Sequence, residues 1–235
     1  MSANPTDLPV LLRAASQPPP TAGPELLAVL CEHLRWTGWS PPARMSQKQA
    51  EALTLELRHA GSNSFATLYR LGEPIPYEEV VDDVVARVKA SPPDGATTAE
   101  KELAIIEAVL GEALAAMPPE EAKALWKRIE PSGRVPLGQL SAVGAYIGGA
   151  VGQQFLYEAA MTAAAYLARM LLGRALGAGV GVALTRVFGT FFGPVGWAVT
   201  AAWLAVDLAG PAYRKTVPAV VTIGAIRASL AQQAT

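Results

Sequence analysis

Hydrophobic residues recur every three or four positions through the first 130 residues, the spacing that one face of an α-helix produces. The clearest series are Val80, Val81, Val84, Val85 and Val88, and then Leu103, Ile106, Val109, Leu110 and Leu114. With capping residues and glycine or proline stops, this pattern predicts helices over residues 24–35, 47–60, 64–71, 77–89, 98–117 and 118–129. No segment alternates with the period of a strand, so the sequence predicts an all-α fold.

Proline marks both predicted boundaries of this helical region. Residues 1–23 combine an apolar patch at 8–12 with three consecutive prolines at 18–20, which predicts a disordered tail or a short docking segment. Residues 131–136 contain two prolines and a glycine, and the composition changes after them. We therefore predict a disordered proline-rich tail over 1–23 and an amphipathic helical domain over 24–130 that is soluble by itself. A glycine-rich apolar helical domain, a hairpin, is predicted over 137–228.

Glycine recurs at every fourth residue within the apolar second half of the chain. Residues four apart lie on one helix face, and each helical glycine costs about 1 kcal/mol relative to alanine. The series therefore predicts close packing between helices, a pattern commonest in membrane-embedded helices. Its members are Gly144, Gly148, Gly152, Gly173, Gly177, Gly181, Gly189 and Gly193.

Two stretches contain no charged side chain, residues 135–157 and residues 187–206. Each has the roughly 20 residues that a helix needs to cross a bilayer. The second contains Trp197 and Trp203, which fit either interface anchors at separate depths or core side chains. Its insertion is marginal, about −2.5 to −5 kcal/mol before Pro194 and three glycines are counted. The stretches fit a buried hairpin in a soluble bundle, a resident membrane hairpin, or a soluble form that releases the hairpin on a trigger.

The balance of charge differs between the two halves of the chain. Of the 19 basic and 20 acidic residues, 13 basic and 18 acidic ones precede residue 135, so the second half is sparsely charged and mildly basic. No dense patch of lysine and arginine is present, which disfavours a nucleic-acid partner. The single cysteine excludes an internal disulfide and a cysteine metal cluster, and the N-terminal residues lack the pattern of a secretory signal.

Two groups of polar residues in the first half are candidates for chemistry. Cys31 and His33 would make a nucleophilic pair, but a spacing of two puts them on different helix faces, which favours a core cysteine and a surface histidine, with His59 elsewhere. Four carboxylates form two i,i+4 pairs, which fit either a metal or basic-partner site or the dipole of a helix N-terminus. They are Glu78, Glu79, Asp82 and Asp83.

A third polar group lies where the apolar half ends. Asp207 is followed by Arg214 and Lys215, on either side of a Gly-Pro break. This arrangement fits either a static ion pair that closes the hairpin or a switch that releases it, and a static pair is the simpler interpretation.

Three stretches resemble the YaaW-like family of uncharacterised bacterial proteins. They are SNSFATLYR at 62–70 with IPYEE at 75–79, LLGRAL at 171–176 with ALTR at 183–186, and GPVGWAVT at 193–200 with DLAGPAYR at 207–214 and VPA at 217–219. The resemblance covers roughly residues 45–228. It implies a helical fold and proximity to membranes, because that family is grouped with ubiquinol–cytochrome c chaperones, and it supplies no catalytic residue. The proline-rich N-terminus departs from the family pattern.

The sequence therefore predicts a non-catalytic helical protein without a cofactor that associates with membranes or inserts into them conditionally through its hairpin. Pore formation is one form that this insertion would take. The alternative is a soluble chaperone or assembly factor for a membrane protein complex. The expected partners are membrane lipid, a membrane protein or a second copy of this chain, and the expected location is the cytoplasmic face of the inner membrane.

Overall fold

The computed structural model describes residues 7–17, 23–62, 74–116, 118–129 and 213–233, together with Ala160 and Ala163. In this part of the chain every regular element is an α-helix, which confirms the all-α prediction there. The helices are α1 (Leu8–Ala15), α2 (Gly23–Leu34), α3 (Gln47–Gly61), α4 (Tyr77–Val88), α5 (Thr98–Ala116), α6 (Pro119–Ile129) and α7 (Tyr213–Gln233). The predicted helix over 64–71 and the predicted hairpin between 137 and 212 lie outside the described residues, apart from Ala160 and Ala163.

Reciprocal caps fix the starts of two helices where the sequence predicted them. At α3, the backbone N–H of Gln49 donates to Ser46 Oγ, and the backbone N–H of Ser46 donates to Gln49 Oε1 at 2.9 Å. At α5, Glu100 and Thr97 make the equivalent pair of bonds, with the Thr97 N–H 2.7 Å from Glu100 Oε2. Each box satisfies backbone donors that a helix start leaves unpaired.

Helix α7 lies at the centre of the described bundle. Every residue from Thr216 to Ile226 is buried, and the helix packs against α1, α2, α3, α4 and α5. A helix that is buried on all sides belongs to the core of a protein rather than to its surface. Pro218 lies inside it, and the Thr222 hydroxyl donates to the Pro218 carbonyl at 2.7 Å, which gives that buried hydroxyl a partner.

The expectation of a disordered tail is wrong for residues 8–15, which form α1. Leu8, Leu11 and Leu12 are all buried in the same core as the later helices, so burial of this patch offsets the cost of ordering it. A buried hydrogen bond of 2.9 Å from the Met45 N–H to Ser16 Oγ ties the end of α1 to the residues before α3. Burial of the apolar patch therefore explains why residues 8–15 form a helix. The prolines at 18–20 lie outside the described residues.

Helix α7 runs past residue 228, where the predicted second domain ends. It packs against the front helices and shares one hydrophobic cluster with them. Ala160 and Ala163 belong to the same cluster. The physical reason is that the apolar residues of α7 complete the core that the amphipathic front helices leave open.

Candidate functional site

Three polar side chains meet at the point where α7 is held by α4 and α5. The Glu102 carboxylate is 1% exposed and accepts bonds from Arg227 Nε at 2.8 Å and from Arg227 Nη2 at 3.1 Å, one to each oxygen. The Tyr77 hydroxyl donates to Glu102 Oε1 at 2.9 Å. We call Tyr77, Glu102 and Arg227 the anchor cluster, because it joins residues up to 150 positions apart in the sequence into one buried network.

Local sequence places each member of the anchor cluster. Tyr77 is the first residue of α4, directly after a Pro-Ile-Pro lead, and it is buried. Glu102 is in the second turn of α5, where its neighbours Ile105 and Ile106 are buried. Arg227 follows the fully buried stretch of α7, and its side chain is 20% exposed. The cluster therefore lies near the end of the core rather than at its middle.

The electrostatics of the anchor cluster favour a fixed ion pair. Burial works against the charged form of Arg227, but its hydrogen bonds to Glu102 and the charge of Glu102 outweigh this and raise the pKa of the guanidinium. The pKa of Tyr77 is raised by burial and then by the charge and hydrogen bond of Glu102, so the phenol stays protonated and keeps donating. The anchor cluster therefore holds α7 against α4 and α5, and both oxygens of the Glu102 carboxylate already accept hydrogen bonds within it.

A cavity of about 270 Å³ adjoins the anchor cluster. Most of its lining is apolar, and Glu102 and Arg227 contribute the polar edge. Beside this space Gly224 lets α7 approach α5 closely, since a Cβ added at Gly224 would lie 2.7 Å from Ile106 Cδ1. The other lining residues are Ala99, Glu100, Leu103, Ala160, Ala228 and Ala231. Ala160, from the segment between α6 and α7, therefore lies against α5 and α7 beside the cluster.

Comparison with known proteins identifies relatives for most of this chain. It is 33% identical over 185 residues to a UPF0174 protein of Helicobacter pylori strain J99, an alignment that spans 77% of this chain and 71% of the relative. It is 31% identical over 191 residues to a UPF0174 protein of Helicobacter pylori strain 26695, which covers 90% of that relative. The chain belongs to the UPF0174 family. No protein-family model and no solved structure matches it.

Membership of UPF0174 confirms part of what the sequence resemblance implied. A family of uncharacterised bacterial proteins was expected, and UPF0174 is such a family. The YaaW-like resemblance and the grouping with ubiquinol–cytochrome c chaperones stay predictions. The UPF0174 name assigns no substrate, partner or location, so the function has to be argued from the residues.

Most of the predicted site residues of this UPF0174 protein lie outside the described part of the chain. This applies to Gly144, Gly148, Gly152, Gly173, Gly177, Gly181, Gly189, Gly193, Trp197, Trp203 and Asp207. Arg214 and Lys215 are described, in the first turn of α7, where Arg214 is exposed and Lys215 is half-buried. Their pairing with Asp207 stays a prediction. No helix among the described residues is both long enough and apolar enough to cross a membrane.

Sequence reasoning missed the anchor cluster of the UPF0174 chain, although one signal pointed to it. Arg227 is the only charged residue after Lys215, and the ten helical residues before it, from Val217 to Ile226, are all apolar or small. A lone charge in a buried helix requires a partner, because an unpaired buried charge is costly. The partner was not identifiable, since Glu102 has the sequence appearance of an ordinary surface glutamate next to an apolar stripe.

The four carboxylates of α4 do not converge on a common point. Asp82 forms an ion pair with Lys101 of α5, and Glu78, Asp82 and Asp83 are exposed. Across the described ranges, no group of three or more histidine, cysteine, aspartate or glutamate side chains is placed to hold a metal ion. Glu78 and Glu79 occupy the first turn of α4, where carboxylates interact favourably with the helix dipole. This position favours the interpretation of these carboxylates as a helix start.

The expected surface position of His33 is wrong, whereas Cys31 is in the core as predicted. His33 is buried near the end of α2, and its Nε2 atom has no hydrogen-bond partner. Burial lowers the pKa of His33 to about 4 and raises the pKa of the Cys31 thiol to about 12. Helix α2 of this UPF0174 protein is buried on nearly every side, so a spacing of two residues does not bring either group to the surface.

We expect His33→Leu to remove an acid sensitivity of the UPF0174 fold. The histidine is neutral when folded, so folding is penalised as pH falls below its ordinary pKa of 6.5 towards the folded value of about 4. The free energy of unfolding of the variant, relative to wild type, should rise by about 3 kcal/mol between pH 7 and pH 4. Urea titrations across this range measure it, with the exposed His59→Leu as the control. Parallel pH profiles for wild type and His33→Leu would contradict this expectation.

Proposed function

We propose that this protein is a non-catalytic membrane-associating protein that inserts its glycine-rich segment into bilayers conditionally. The observation that carries the proposal is the connection of that segment to the folded body. The segment contains the uncharged stretches 135–157 and 187–206, and it runs between α6 and α7. Both helices bury side chains in one hydrophobic cluster, Trp126 on α6 and Val217 on α7 among them.

This connection restricts how the segment would enter a bilayer. Both ends belong to the same folded body, so the segment crosses a membrane an even number of times or lies in its surface. One helical crossing takes about 20 residues. The 83 residues between Ile129 and Tyr213 are enough for a pair of crossings and a turn. In this proposal the two uncharged stretches enter together as a hairpin, or neither enters.

Ala160 and Ala163 supply the conditional part of the proposal. Both are buried in the core cluster, with Ala160 beside the anchor cluster. Only 30 residues separate Ile129 from Ala160, which is too few to cross a bilayer twice. While Ala160 stays packed in the core, the stretch 135–157 therefore remains on one side of the membrane. Leaving this position exposes two methyl groups, which costs about 2 kcal/mol, so a modest trigger suffices.

Bromine quenching of tryptophan tests the proposal directly. Brominated acyl chains quench only those tryptophans that enter the hydrocarbon, so we expect vesicles of brominated anionic lipid to quench Trp197 and Trp203 and to leak a trapped dye. The double variant Trp197→Phe, Trp203→Phe should lose the quenching and keep vesicle binding. Binding is expected to weaken as salt rises, because part of the attraction is electrostatic.

A charge placed in the middle of the second stretch should block insertion. Val199→Arg costs roughly 2.5–3.5 kcal/mol at the centre of a span, which reduces partitioning about 100-fold. Leu55→Arg is the matched control, since Leu55 is the exposed large hydrophobic residue of the described surface and lies on α3. Equal leakage by both variants would contradict insertion of this stretch. Absence of vesicle binding at every pH and lipid composition would contradict the proposal and favour the alternative, a soluble chaperone.

A further inference from the structure

An arginine from α4 lies over an aromatic ring at the start of α7. The guanidinium carbon of Arg87 is 5.0 Å from the centroid of the Tyr213 ring, within the range of a cation–π contact. Arg87 is in the last turn of α4, and Tyr213 is the first residue of α7. This contact places a cation from the front helices at the point where the apolar segment joins the folded body.

Arg87 is not neutralised by a carboxylate in the described part of the chain. Its Nε atom is buried and has no hydrogen-bond partner. Asp83 lies one turn earlier on α4, but none of the ion pairs among the described residues joins it to Arg87. The Arg87 guanidinium lies over the Tyr213 ring instead.

Two more cations follow Tyr213 directly. Arg214 is exposed and Lys215 is half-buried, and the first turn of α7 contains no acidic residue. Among the described residues, neither has an ion-pair partner. We call Arg87, Arg214 and Lys215 the basic rim. Like charges on neighbouring elements repel one another where, as among the described residues, no carboxylate pairs with them, so this arrangement favours an anion as a partner.

We propose that the basic rim binds the phosphate headgroups of anionic phospholipids. The stretch 187–206 ends only seven residues before Tyr213, so the rim lies next to the segment that would enter the bilayer. A planar guanidinium that stacks on a ring keeps N–H donors at its edge for phosphate oxygens. A tyrosine beside such a site suits the polar boundary of a membrane. This inference rests on the proposed membrane association and names the lipid class for it.

Vesicle co-sedimentation of the full chain tests the basic rim. We expect phosphatidylcholine vesicles that contain phosphatidylglycerol to bind more tightly than phosphatidylcholine alone. Each of Arg87→Gln, Arg214→Gln and Lys215→Gln should weaken the anionic binding roughly fivefold and reduce its salt dependence. Arg87→Lys, which keeps the charge, should retain most of the binding. Lys48→Gln removes an exposed cation from α3 and is the matched control, with no expected change.

The outcomes separate this inference from the proposed function. If wild type binds neutral and anionic vesicles equally and bromine quenching is still observed, the basic rim does not bind anionic headgroups, whereas the proposed insertion is supported. Unchanged binding by Arg87→Gln and Arg214→Gln would also overturn headgroup binding by the basic rim. Binding of duplex DNA that requires the same three residues would replace lipid with nucleic acid as the partner. A urea midpoint for each variant checks folding, and Arg214→Gln keeps the test valid if Arg87→Gln unfolds, since Arg214 is exposed.

Discussion

A fragment of residues 7–129 is expected to lack cooperative unfolding until α7 is supplied as a separate peptide. Val217, Val220, Val221, Ile223 and Ile226 are fully buried in α7, and their burial contributes about 8–15 kcal/mol in total. A whole domain is typically stable by only about 5–15 kcal/mol, so the fragment alone should not hold its fold. A peptide of residues 213–233 should restore a cooperative urea transition monitored by circular dichroism.

The matched control for this complementation is the same peptide with Val220→Asp. Val220 is fully buried, so an added carboxylate there should abolish the rescue without changing the length of the peptide. This result would also correct the expectation that residues 24–130 form a soluble unit by themselves. A cooperative transition for the fragment without peptide would contradict the central role assigned to α7.

Arg227→Met should be among the most destabilising single substitutions in the described part of the chain. It leaves the Glu102 carboxylate buried with only the Tyr77 hydroxyl as a partner, which costs about 3–5 kcal/mol. Glu102→Gln should cost less, because the Arg227 side chain is 20% exposed and reaches water. The double variant should lose less than the sum of the single variants, with a coupling of about 1–3 kcal/mol. Urea unfolding at pH 7 measures all three.

A surface substitution and the double variant isolate the buried charge as the cause. Lys123→Met breaks an ion pair between Lys123 and Glu120 that is largely exposed, and it should change stability by less than about 0.5 kcal/mol. A cost of Arg227→Met that is additive with the cost of Glu102→Gln would indicate lost packing rather than an unpaired charge.

The helical part of the fold was predictable because its signals are local. Capping residues such as Ser46 and Thr97 and the valine stripe of α4 lie within a few residues of the structure they specify. The central position of α7 was not predictable, since valine and isoleucine suit a core helix and a membrane helix equally well. Only contact with the front helices distinguishes them, and those contacts span more than 100 residues of sequence.

The candidate site was partly predictable for the same reason. Arg214 and Lys215 were identified from their position after an uncharged stretch. Arg87 was not, because its relation to Tyr213 depends on how α4 and α7 pack. Glu102 was not, because the polar residues around it in the sequence are solvent-facing and its burial follows only from the position of Arg227. Long-range pairs of charges require the tertiary structure.

The position of α7 near the end of the sequence affects how the chain folds during translation. Helix α2 finds its main neighbour in a helix that begins about 180 residues later, so the core stays open while everything between them is translated. At about 5–20 residues per second, that delay lasts roughly 10–40 seconds. During this time the first uncharged stretch, residues 135–157, leaves the exit tunnel before the core is complete. The nascent chain therefore passes through a stage at which apolar residues of the unfinished core remain accessible to other partners.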